Sequence, residues 1–534
     1  MQPKPLLIRI TTFSLCIVLH CSRESAVPVT PNVSPEARAL LQLFYNISGR
    51  YTLTGQHNYP NTRDRNSQFA AKYIGQTPVI WSTDWGFAED GDTDSYLARP
   101  DIVEEAIRQH RKGSLVTICW HAVPPTADEP VTFRPPQDGR PADSLASVQG
   151  RLPDGQFRDV LTPGTRLNRR WCAQVDSIAF YLKKLQQARV PVLWRPYHEM
   201  NGSWFWWGGR SDKSGTSALY RQIFDRLVRY HKINNLIWIW SVDRPNTPEM
   251  KFSDYYPGND YLDILALDVY GSDFNQAYYD SLTLLSHGKP LALGEVGNPP
   301  EPHILDTQPN WSSWVIWAGM VRNTTKKQYQ ILISDPRILS QEDPAYHRII
   351  RPFRKACGLA PLPAAMKKPG ETGTGQNINR QQTLAAGNPS SVKTGFSGKW
   401  IFNEEKSLLD NMGTGSVPYK LDVMLHGLQL NLVRSQIVEW GNDRITEETL
   451  SLDGTESHSS MRNAPRITIA RKSQNGDTLY IESKTTFTRD DRQFEWLTGE
   501  AWTVSQETGD LRIRQTSTTW RGEQQMTLVY ERER

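Results

Sequence analysis

Two glutamates, each at the end of an apolar segment, are the residues of this chain best suited to act together in catalysis. Glu199 lies in WRPYHEMNGSWFWWGG (194–209), where four tryptophans and a phenylalanine surround one carboxylate. Glu295 lies in PLALGEVG (290–297). Two carboxyl groups that face each other in an aromatic cleft are suited to glycoside hydrolysis. Because they are 96 positions apart, only the fold can bring them together.

Alternation along the two segments predicts that both carboxylates face the same space. In the first segment, Glu199 shares its parity with Arg195 and Tyr197, so the three side chains should point to one side. In the second, Glu295 follows two leucines of the same parity, and Gly294 leaves room beside the carboxylate. If both segments are strands of a parallel barrel, both glutamates lie at its C-terminal end, where such barrels keep their active sites.

Short apolar runs alternate with longer amphipathic stretches from about residue 40 to residue 359, as in repeated βα units. Eight such units predict an α/β fold, a (β/α)8 TIM barrel with loop insertions. The runs lack polar alternation, as strands covered on both faces do. The predicted strands are 51–55, 78–82, 114–119, 191–195, 235–240, 262–267, 290–294 and 311–317.

The longest insertion follows the third predicted strand. Its sequence, HAVPPTADEPVTFRPPQDGRPADS (121–144), contains too much proline to form a helix. Long loops beside a barrel mouth commonly shape the site, so we expect this segment to line the cleft.

A change of composition divides the chain after the predicted barrel. Residues 361–395 contain many Gly, Pro, Ser, Thr and Gln, which predicts a flexible linker between a catalytic domain at 33–360 and a second domain at 396–534. The second domain shows period-two runs separated by turns at 453–454, 475–476 and 509–510. We predict an all-β antiparallel barrel or sandwich, and its opening FSGKW resembles the start of lipocalin-like barrels.

The N-terminus has the features of an export signal. Lys4 and Arg9 precede a short apolar run at 10–19, which predicts a signal peptide within 1–26 rather than a membrane span. Cys21 could be the lipidated cysteine of a bacterial lipoprotein, so a secreted and a surface-anchored protein both stay open. Membrane attachment is expected only through that lipid.

Composition and motifs exclude several classes of function. The 61 Lys and Arg residues nearly balance 57 Asp and Glu residues without a basic run, so no nucleic-acid partner is expected. His198 and Glu199 lack the second histidine of a His-Glu-x-x-His zinc helix. Cys119, Cys172 and Cys357 give neither a disulfide framework nor a zinc spacing. We predict no metal and no cofactor.

Several motifs resemble those of glycoside hydrolase family 26. RPYHEMNGSWFWWGG (195–209) closely resembles the acid/base motif of the family, and LALGEVG (291–297) resembles its nucleophile strand. The resemblance covers about residues 36–358 and includes TGQH (54–57), WH (120–121), TPGTRLNRRW (162–171), LALDVYG (265–271) and WSSWVIWAG (311–319). It implies a retaining hydrolase of clan A, most often an endo-β-1,4-mannanase with a β-mannan polysaccharide as substrate.

The resemblance also implies roles for individual residues. Glu199 matches the general acid/base and Glu295 the nucleophile. His198 is expected to orient the nucleophile and contact the sugar, Trp204 to line that subsite, and Tyr270 to direct its hydroxyl at the nucleophile. Further residues match substrate-lining or supporting positions: His121, Trp317, Arg195 and Asp268.

A retaining mechanism requires that the two carboxyl groups differ in protonation. Burial beside Trp204 and the nearby charge of Glu295 predict a raised pKa for Glu199. Hydrogen bonds from Tyr270 and His198 are expected to keep Glu295 ionised.

Alternatives stay open at the level of the sequence. The same mechanism serves a mixed-linkage β-glucanase, a β-1,3-xylanase or a mannobiohydrolase, because loop shape sets these choices. From another class, a non-catalytic carbohydrate-binding protein could use the same barrel, although both glutamates are present. The second domain could bind polysaccharide, hold a small ligand or act as a spacer. Core packing is favoured over sugar contact for Trp206, Trp207, Trp238, Trp240, Trp400, Trp440, Trp496, Trp502 and Trp520.

Overall fold

A computed structural model describes residues 27–88, 96–135, 145–363, 395–404, 406–409, 417–436, 444–461, 464–489, 492–519 and 522–533. The predicted signal peptide with Cys21 lies outside these residues, as do nearly all of the predicted linker, Trp440 and Trp520. Within the described ranges, no helix combines the length and the apolar character needed to cross a bilayer.

The described part of the first domain contains a closed parallel barrel, as predicted. Its strands are β1 Thr52–Leu53, β2 Gly55–His57, β3 Ile80–Asp84, β4 Leu115–Trp120, β5 Val192–Pro196, β6 Leu236–Asp243, β7 Ile264–Val269, β8 Leu291–Val296 and β9 Trp311–Ile316, with β10 Ile338–Leu339 beside β1. Strands β1 and β2 form one barrel strand that is interrupted at Thr54, which makes eight in all. The barrel closes because β9 pairs with β8 on one side and with β1 and β2 on the other.

Most strands extend one or two residues further toward the C-terminus than predicted. The predicted strands stopped before the acidic residues, whereas the backbone pairing continues through them. Asp84 pairs with Cys119, Asp243 with Asp268, and Asp268 with Glu295. These four acidic side chains at the barrel mouth, of Asp84, Asp243, Asp268 and Glu295, therefore stand on hydrogen-bonded strands rather than on loops.

Helices cover the outside and the N-terminal end of the barrel. They are α1 Pro35–Ile47, α2 Arg65–Ile74, α3 Arg99–Lys112, α4 Asp154–Leu161, α5 Arg166–Gln187, α6 Thr216–Phe224, α7 Phe252–Tyr255, α8 Gln276–Ser286, α9 Pro302–Thr307, α10 Lys326–Ser334, α11 Pro344–Ile349 and α12 Arg351–Ala356. In α5, the Thr165 side chain caps the N-terminus by accepting a hydrogen bond from the backbone N–H of Asn168. Its buried face repeats every three or four residues: Leu167, Trp171, Val175, Ile178, Leu182 and Leu185.

The two ends of the barrel interior differ in polarity. At the N-terminal end, Leu115, Leu193 and Ile237 form one apolar cluster with Leu40 and Phe44 of α1. At the C-terminal end, the strands finish with charged and hydrogen-bonding side chains. The polar end is therefore the place for chemistry, while the apolar end stabilises the fold.

The second domain is a single antiparallel sheet, as predicted. Its strands are β11 Gly398–Phe402, β12 Lys420–His426, β13 Gln429–Gln436, β14 Arg444–Ser451, β15 Asp453–Met461, β16 Ala464–Lys472, β17 Thr478–Arg489, β18 Arg492–Val504, β19 Leu511–Thr519 and β20 Gly522–Arg532. Each of these strands pairs with a neighbour in the chain, and β11 also pairs with β20, so that β14 and β15 are the two edges of a nearly closed barrel. The predicted turns at 475–476 and 509–510 lie between consecutive strands. The turn predicted at 453–454 is instead the start of β15, where the pairing with β16 is irregular.

Hydrogen bonds join the second domain to α2 and to the segment that follows β9. The Glu404 carboxylate accepts a hydrogen bond from the Tyr73 hydroxyl and another, of 3.0 Å, from the backbone N–H of Lys326 at the start of α10. Arg322, in the 3-10 helix Ala318–Asn323, donates to the Val417 carbonyl at 3.3 Å.

Candidate active site

Glu199 stands in a turn that follows β5, not in the strand itself. The strand ends at Pro196, and both Tyr197 and Glu199 have positive φ angles, of 49° and 50°. This left-handed backbone is uncommon outside glycine and carries strain that is often found at active sites. It turns Tyr197 toward α5, where the Trp171 indole N–H donates to the tyrosine hydroxyl at 2.8 Å. The predicted strand alternation through Tyr197 is therefore wrong, and the turn directs Glu199 into the barrel mouth.

Glu295 lies on β8 beside an irregularity in its pairing with β7. The register changes from Leu267 opposite Leu293 to Asp268 opposite Glu295, which leaves Gly294 as an extra residue on β8. A Cβ atom at Gly294 would lie 2.5 Å from the Asp268 Oδ1 atom. The prediction that Gly294 makes room is confirmed, and the group that it accommodates is the Asp268 carboxylate.

The two glutamates line one cleft of about 220 Å³. One oxygen of the Glu199 carboxylate lies within 4.8 Å of one oxygen of the Glu295 carboxylate. Both residues are nearly buried, at 8% and 3% exposed. The lining residues are Phe87, His121, Phe133, Gln149, His198, Glu199, Trp204, Phe205, Tyr270, Glu295, Trp317 and Met320.

The Glu295 carboxylate is held by two donors. Arg195 donates one guanidinium N–H to Glu295 Oε1 and another to Asp268 Oδ2, the latter at 3.0 Å. The Tyr270 hydroxyl donates to Glu295 Oε2 at 2.5 Å, as expected from the resemblance. Burial opposes the charge of Arg195, but Glu295 and Asp268 raise its pKa well above the usual value. A permanent positive charge therefore stands directly behind the carboxylate of Glu295.

Two predicted substrate residues, Arg195 and Asp268, lie behind Glu295 rather than on the cleft surface. They are 3% and 0% exposed, and neither lines the cleft. Ser241 completes the arrangement by donating to Asp268 Oδ1 at 2.9 Å. The geometry therefore assigns Arg195 and Asp268 to positioning Glu295.

His198 lines the cleft but does not hydrogen-bond to Glu295. Its Nε2 atom lies 3.9 Å from Glu295 Oε1, beyond hydrogen-bond distance. Burial lowers the pKa of His198 well below the usual value, so its ring is neutral at ordinary pH. The ring centroid is 4.4 Å from that of His121, so the two imidazoles form one polar surface.

The surroundings of Glu199 favour a protonated carboxyl group. Burial is the largest cause that raises its pKa well above the usual value, and the negative charges of Glu295, Asp268 and Asp243 act in the same direction. The Trp204 indole N–H opposes them, because it donates to Glu199 Oε2 at 2.7 Å and stabilises the ionised form. The raised pKa that the sequence predicts for Glu199 is thus confirmed.

Trp317 and the histidines supply further lining of the cleft. The Trp317 ring stacks on His57, with centroids 3.9 Å apart and planes inclined by 15°. Burial lowers the pKa of His57 to about 3. Asp84 Oδ2 accepts a hydrogen bond of 2.9 Å from the backbone N–H of His121 and lies 3.1 Å from its Nδ1 atom. These contacts hold the rings of Trp317 and His121 in place before any substrate binds.

The tryptophans of the acid/base motif divide between cleft and core. Trp206 and Trp207 are fully buried, and their indole N–H groups donate to the carbonyls of Ala122 and His198. Trp238 and Trp240 are fully buried as well, so the predicted core packing is confirmed for all four. Trp204 instead lines the cleft.

Five cleft residues were not predicted from the sequence: Phe87, Phe133, Gln149, Phe205 and Met320. Phe133 belongs to the long insertion after the third barrel strand. The prediction that this insertion lines the cleft is confirmed at this residue. Gln149 forms an isolated β-bridge with Phe205, and the next residue, Gly150, donates its N–H to the Trp204 carbonyl at 2.9 Å. The side-chain amide of Gln149 has no hydrogen bond with another described residue, so it can bind a substrate hydroxyl.

Two clusters of the described residues have the composition of possible metal ligands: Asp84 with Cys119 and His121, and Glu199 with Asp268 and Glu295. In the first, burial raises the pKa of Cys119 well above the usual value, and its protonated thiol donates to Asp84. In the second, the guanidinium of Arg195 already neutralises two carboxylates. Hydrogen bonding accounts for both clusters, and the absence of a metal stays a prediction.

Comparison with known proteins locates the similarity in the first domain. Residues 29–342, more than half of the chain, match the model of glycosyl hydrolase family 26. A mannan endo-1,4-beta-mannosidase of Thermothelomyces thermophilus is 31% identical over 304 residues, which are 55% of this chain and 58% of that protein. The chain thus spans little more than half the length of this relative.

Solved structures show the same similarity. GH26A from Muricauda sp. MAR_2010_75 is 39% identical with a TM-score of 0.54, over 58% of this chain and 98% of that one. A beta-mannanase from a symbiotic protist of the termite Reticulitermes speratus, solved with a gluco-manno-oligosaccharide, shares the fold at 24% identity and a TM-score of 0.50, over 59% of this chain and 96% of that one.

Proposed function

Because the chain belongs to glycosyl hydrolase family 26, we propose that its first barrel is a retaining endo-β-1,4-mannanase that cleaves internal bonds of mannan, glucomannan or galactomannan. The observation that carries the proposal is the pair of carboxylate oxygens within 4.8 Å across one cleft. Retaining glycosidases hold their carboxyl groups about 5–5.5 Å apart, whereas inverting enzymes need about 6.5–9.5 Å to admit a water molecule. The names of the relatives support mannan as the substrate.

In the first step, Glu295 attacks the anomeric carbon while Glu199 donates its proton to the departing glycosidic oxygen. Arg195 and Tyr270 hold the attacking carboxylate in place, so little reorganisation is needed. The leaving chain diffuses away with the proton from Glu199, and the remaining sugar is bonded covalently to Glu295.

In the second step, the change of charge on Glu295 reverses the role of Glu199. The ester at Glu295 carries no negative charge, so the strongest charge that raised the pKa of Glu199 is removed. Glu199 is then ionised, accepts a proton from water, and the resulting hydroxide attacks the same anomeric carbon. Two inversions give net retention.

The full chain incubated with galactomannan tests the proposal. We expect a fast fall in viscosity with few new reducing ends, as internal cleavage requires, and proton NMR should show the β-anomer as the first product. An α-anomer as first product would exclude retention, and hydrolysis of lichenan or β-1,3-xylan instead of mannan would reassign the substrate. No hydrolysis of any of these polymers would favour a carbohydrate-binding protein.

Replacing Trp204 by Phe should move the alkaline limb of the pH–rate profile to higher pH. The indole N–H stabilises ionised Glu199, so its loss raises the pKa of Glu199 further, while a phenyl ring still excludes water. Because the first step needs protonated Glu199, activity should then persist to higher pH. The measurement is kcat/KM for mannotetraose against pH, and an alkaline limb that stays in place or moves to lower pH would contradict the assignment.

Replacing Gln149 by Ala should raise KM and lower kcat/KM by about three- to tenfold, which corresponds to one lost neutral hydrogen bond. The expectation follows from an unpaired amide that faces the cleft. Gln187→Ala, at the exposed end of α5, is the matched control and should leave both constants unchanged. Equal kinetics of the two variants would remove Gln149 from the substrate-binding residues.

We also propose that the protein is exported, either secreted or held at the cell surface through a lipid on Cys21. The basic residues and short apolar run at the N-terminus support export, and a polymeric substrate outside the cell agrees with it. Mass spectrometry of the mature N-terminus distinguishes a free amino terminus from a diacylated cysteine.

A further inference from the structure

The interior of the second barrel is apolar at one end and polar at the other. An eight-stranded barrel already has room for one small ligand, and ten strands enclose a wider space. At one end, large apolar side chains fill this space, each no more than 2% exposed: Trp400, Leu432, Leu479, Trp502, Ile513 and Leu528. The polar end needs a different explanation.

The side chains at the polar end face the interior. Trp496, Thr498 and Glu500 share their parity on β18 with the buried core residue Trp502, so they point to the same face of the sheet. We use the name polar cup for the inward-facing residues at this end: Arg434, Glu448, Arg466, Trp496, Thr498 and Glu500.

Four charges of the polar cup form a network. Arg434 donates to Glu500 at 2.9 Å and lies 3.5 Å from Glu448. Arg466 lies 3.4 Å from Glu448 and donates to the Ser483 hydroxyl at 2.8 Å. Removing four charges from water costs several kcal/mol for each ion, and apolar replacements of such networks are often neutral or stabilising. Stability alone therefore does not explain the network.

Three polar atoms of the polar cup lack a hydrogen-bond partner among the described residues. They are the indole Nε1 of Trp496, Nε of Arg434 and Oε1 of Glu448. The last two take part in ion pairs, with Arg434 Nε 3.5 Å from Glu448 Oε2 and Glu448 Oε1 3.4 Å from Arg466 Nε. Among the three, the Trp496 indole N–H is therefore the one without a polar partner in the described part of the chain. A buried N–H group without a hydrogen bond is unfavourable, and a ligand that accepts from the Trp496 indole would recover that cost. The cup can also be reached, because Trp496 and Thr498 are partly exposed and the Arg434 side chain is 14% exposed.

We propose that the polar cup is a second binding site, for a neutral saccharide. Two arginines and two glutamates balance each other, so an anionic ligand would meet Glu448 and Glu500, and a cationic ligand would meet the arginines. A sugar hydroxyl can donate to a carboxylate and accept from a guanidinium at the same time. The Trp496 ring adds an aromatic surface of the kind that packs against sugar C–H groups.

The cup would keep the enzyme on its polymer or retain a released oligosaccharide. The existence of the site does not depend on the activity of the first barrel. The choice of a mannan oligosaccharide as the probe does rest on the proposed function.

Calorimetric titration of the full chain carrying Glu295→Ala with mannotriose tests the inference. This background prevents turnover, and we expect two sites, one in the cleft and one in the cup. Adding Thr498→Tyr places a ring inside the cup and should weaken one site by about tenfold or more. Leu497→Tyr is the matched control, because Leu497 is the outward-facing neighbour on the same strand and is 45% exposed. Two sites that are unchanged by Thr498→Tyr would overturn the proposal.

The design separates the cup from the cleft. Trp204→Ala in the same background should weaken binding at the cleft site only. If the proposed function is wrong, no site sensitive to Trp204→Ala will be found, but the site sensitive to Thr498→Tyr will still bind the sugar. Should Thr498→Tyr lower the melting temperature of the second domain, Trp496→Phe serves as the milder variant and should weaken the cup site about threefold. A site sensitive to Thr498 that accepts glucuronic acid but not neutral sugars would overturn the ligand class.

Discussion

Replacing Glu295 by Ala should lower the turnover of galactomannan on the order of 10⁵-fold, the largest effect expected of any single substitution in this chain. In the proposed mechanism, this variant lacks the oxygen that attacks the anomeric carbon, and Glu199 cannot replace it. The cavity left beside Arg195 should admit a small anion, because the guanidinium loses its carboxylate partner. The measurement is the release of reducing ends by the purified variant over hours.

Azide makes this prediction specific to the nucleophile. It should enter the space of the missing carboxylate, attack the anomeric carbon directly and give an α-mannosyl azide, whose configuration is inverted because one displacement replaces two. Glu301→Ala, six positions further and exposed, is the control and should keep full activity without any azide product. Activity close to that of the parent in Glu295→Ala would exclude Glu295 as the nucleophile.

Replacing Glu199 by Ala should lower kcat/KM for mannan oligosaccharides by about 10²–10⁴-fold, the second largest effect. A sugar alkoxide is a poor leaving group and, in the proposed mechanism, needs the proton from Glu199. An aryl mannoside with an acidic phenol needs almost none, so its first step should lose much less. The alkaline limb of the pH–rate profile should also disappear, since the group that titrates there is gone.

Two measurements distinguish an acid/base role of Glu199 from a purely structural role: the dependence of the rate on the leaving group, and the configuration of the product formed with azide. Azide should restore turnover of the aryl mannoside in Glu199→Ala and give a β-mannosyl azide, because it attacks the covalent intermediate in place of activated water. Glu199→Gln keeps the size of the side chain and an acceptor for the Trp204 indole N–H, yet should show the same dependence on the leaving group. Equal losses on oligosaccharide and aryl mannoside would argue against an acid role.

The two predictions depend on one asymmetry between similar side chains. Both glutamates are almost completely buried, but their neighbours differ. Glu295 contacts a guanidinium and a hydroxyl, whereas Glu199 contacts one indole N–H and faces three negative charges. The arrangement resembles other acid and base pairs in which environment, and not residue type, sets the protonation state.

The barrel could be predicted from the sequence because its signals are local. A strand covered on both faces needs an unbroken apolar run, and each helix between strands needs its own amphipathic period, so eight repeats are visible without knowledge of the fold. The position of each glutamate at the end of such a run is equally local. Arg195 and Asp268 were recognised as relevant through the resemblance to the family motifs, but their contacts with Glu295 were not predicted.

Other features of the site have no local signal. The positive φ angles at Tyr197 and Glu199 replace the extended strand that alternation predicted, and they exist because surrounding packing offsets the strain. Gln149 lies five residues beyond the proline-rich insertion at 121–144, in a stretch without periodicity, so the sequence did not indicate that its side chain enters the cleft. In the second domain, pairing of distant strands brings Arg434 against Glu500.

The sequence by itself determined the two folds, the position of the barrel mouth and the two carboxyl groups that stand there, because burial patterns and chemical types are properties of short segments. Only the tertiary structure decided which carboxylate lies against Arg195 and which lies against Trp204. The protonation of Glu199 depends on its burial and on the charges of Asp243, Asp268 and Glu295, which stand on β6, β7 and β8. No single stretch of the chain encodes the combined effect of these charges, because electrostatic energy depends on distances in space and not on positions in the sequence.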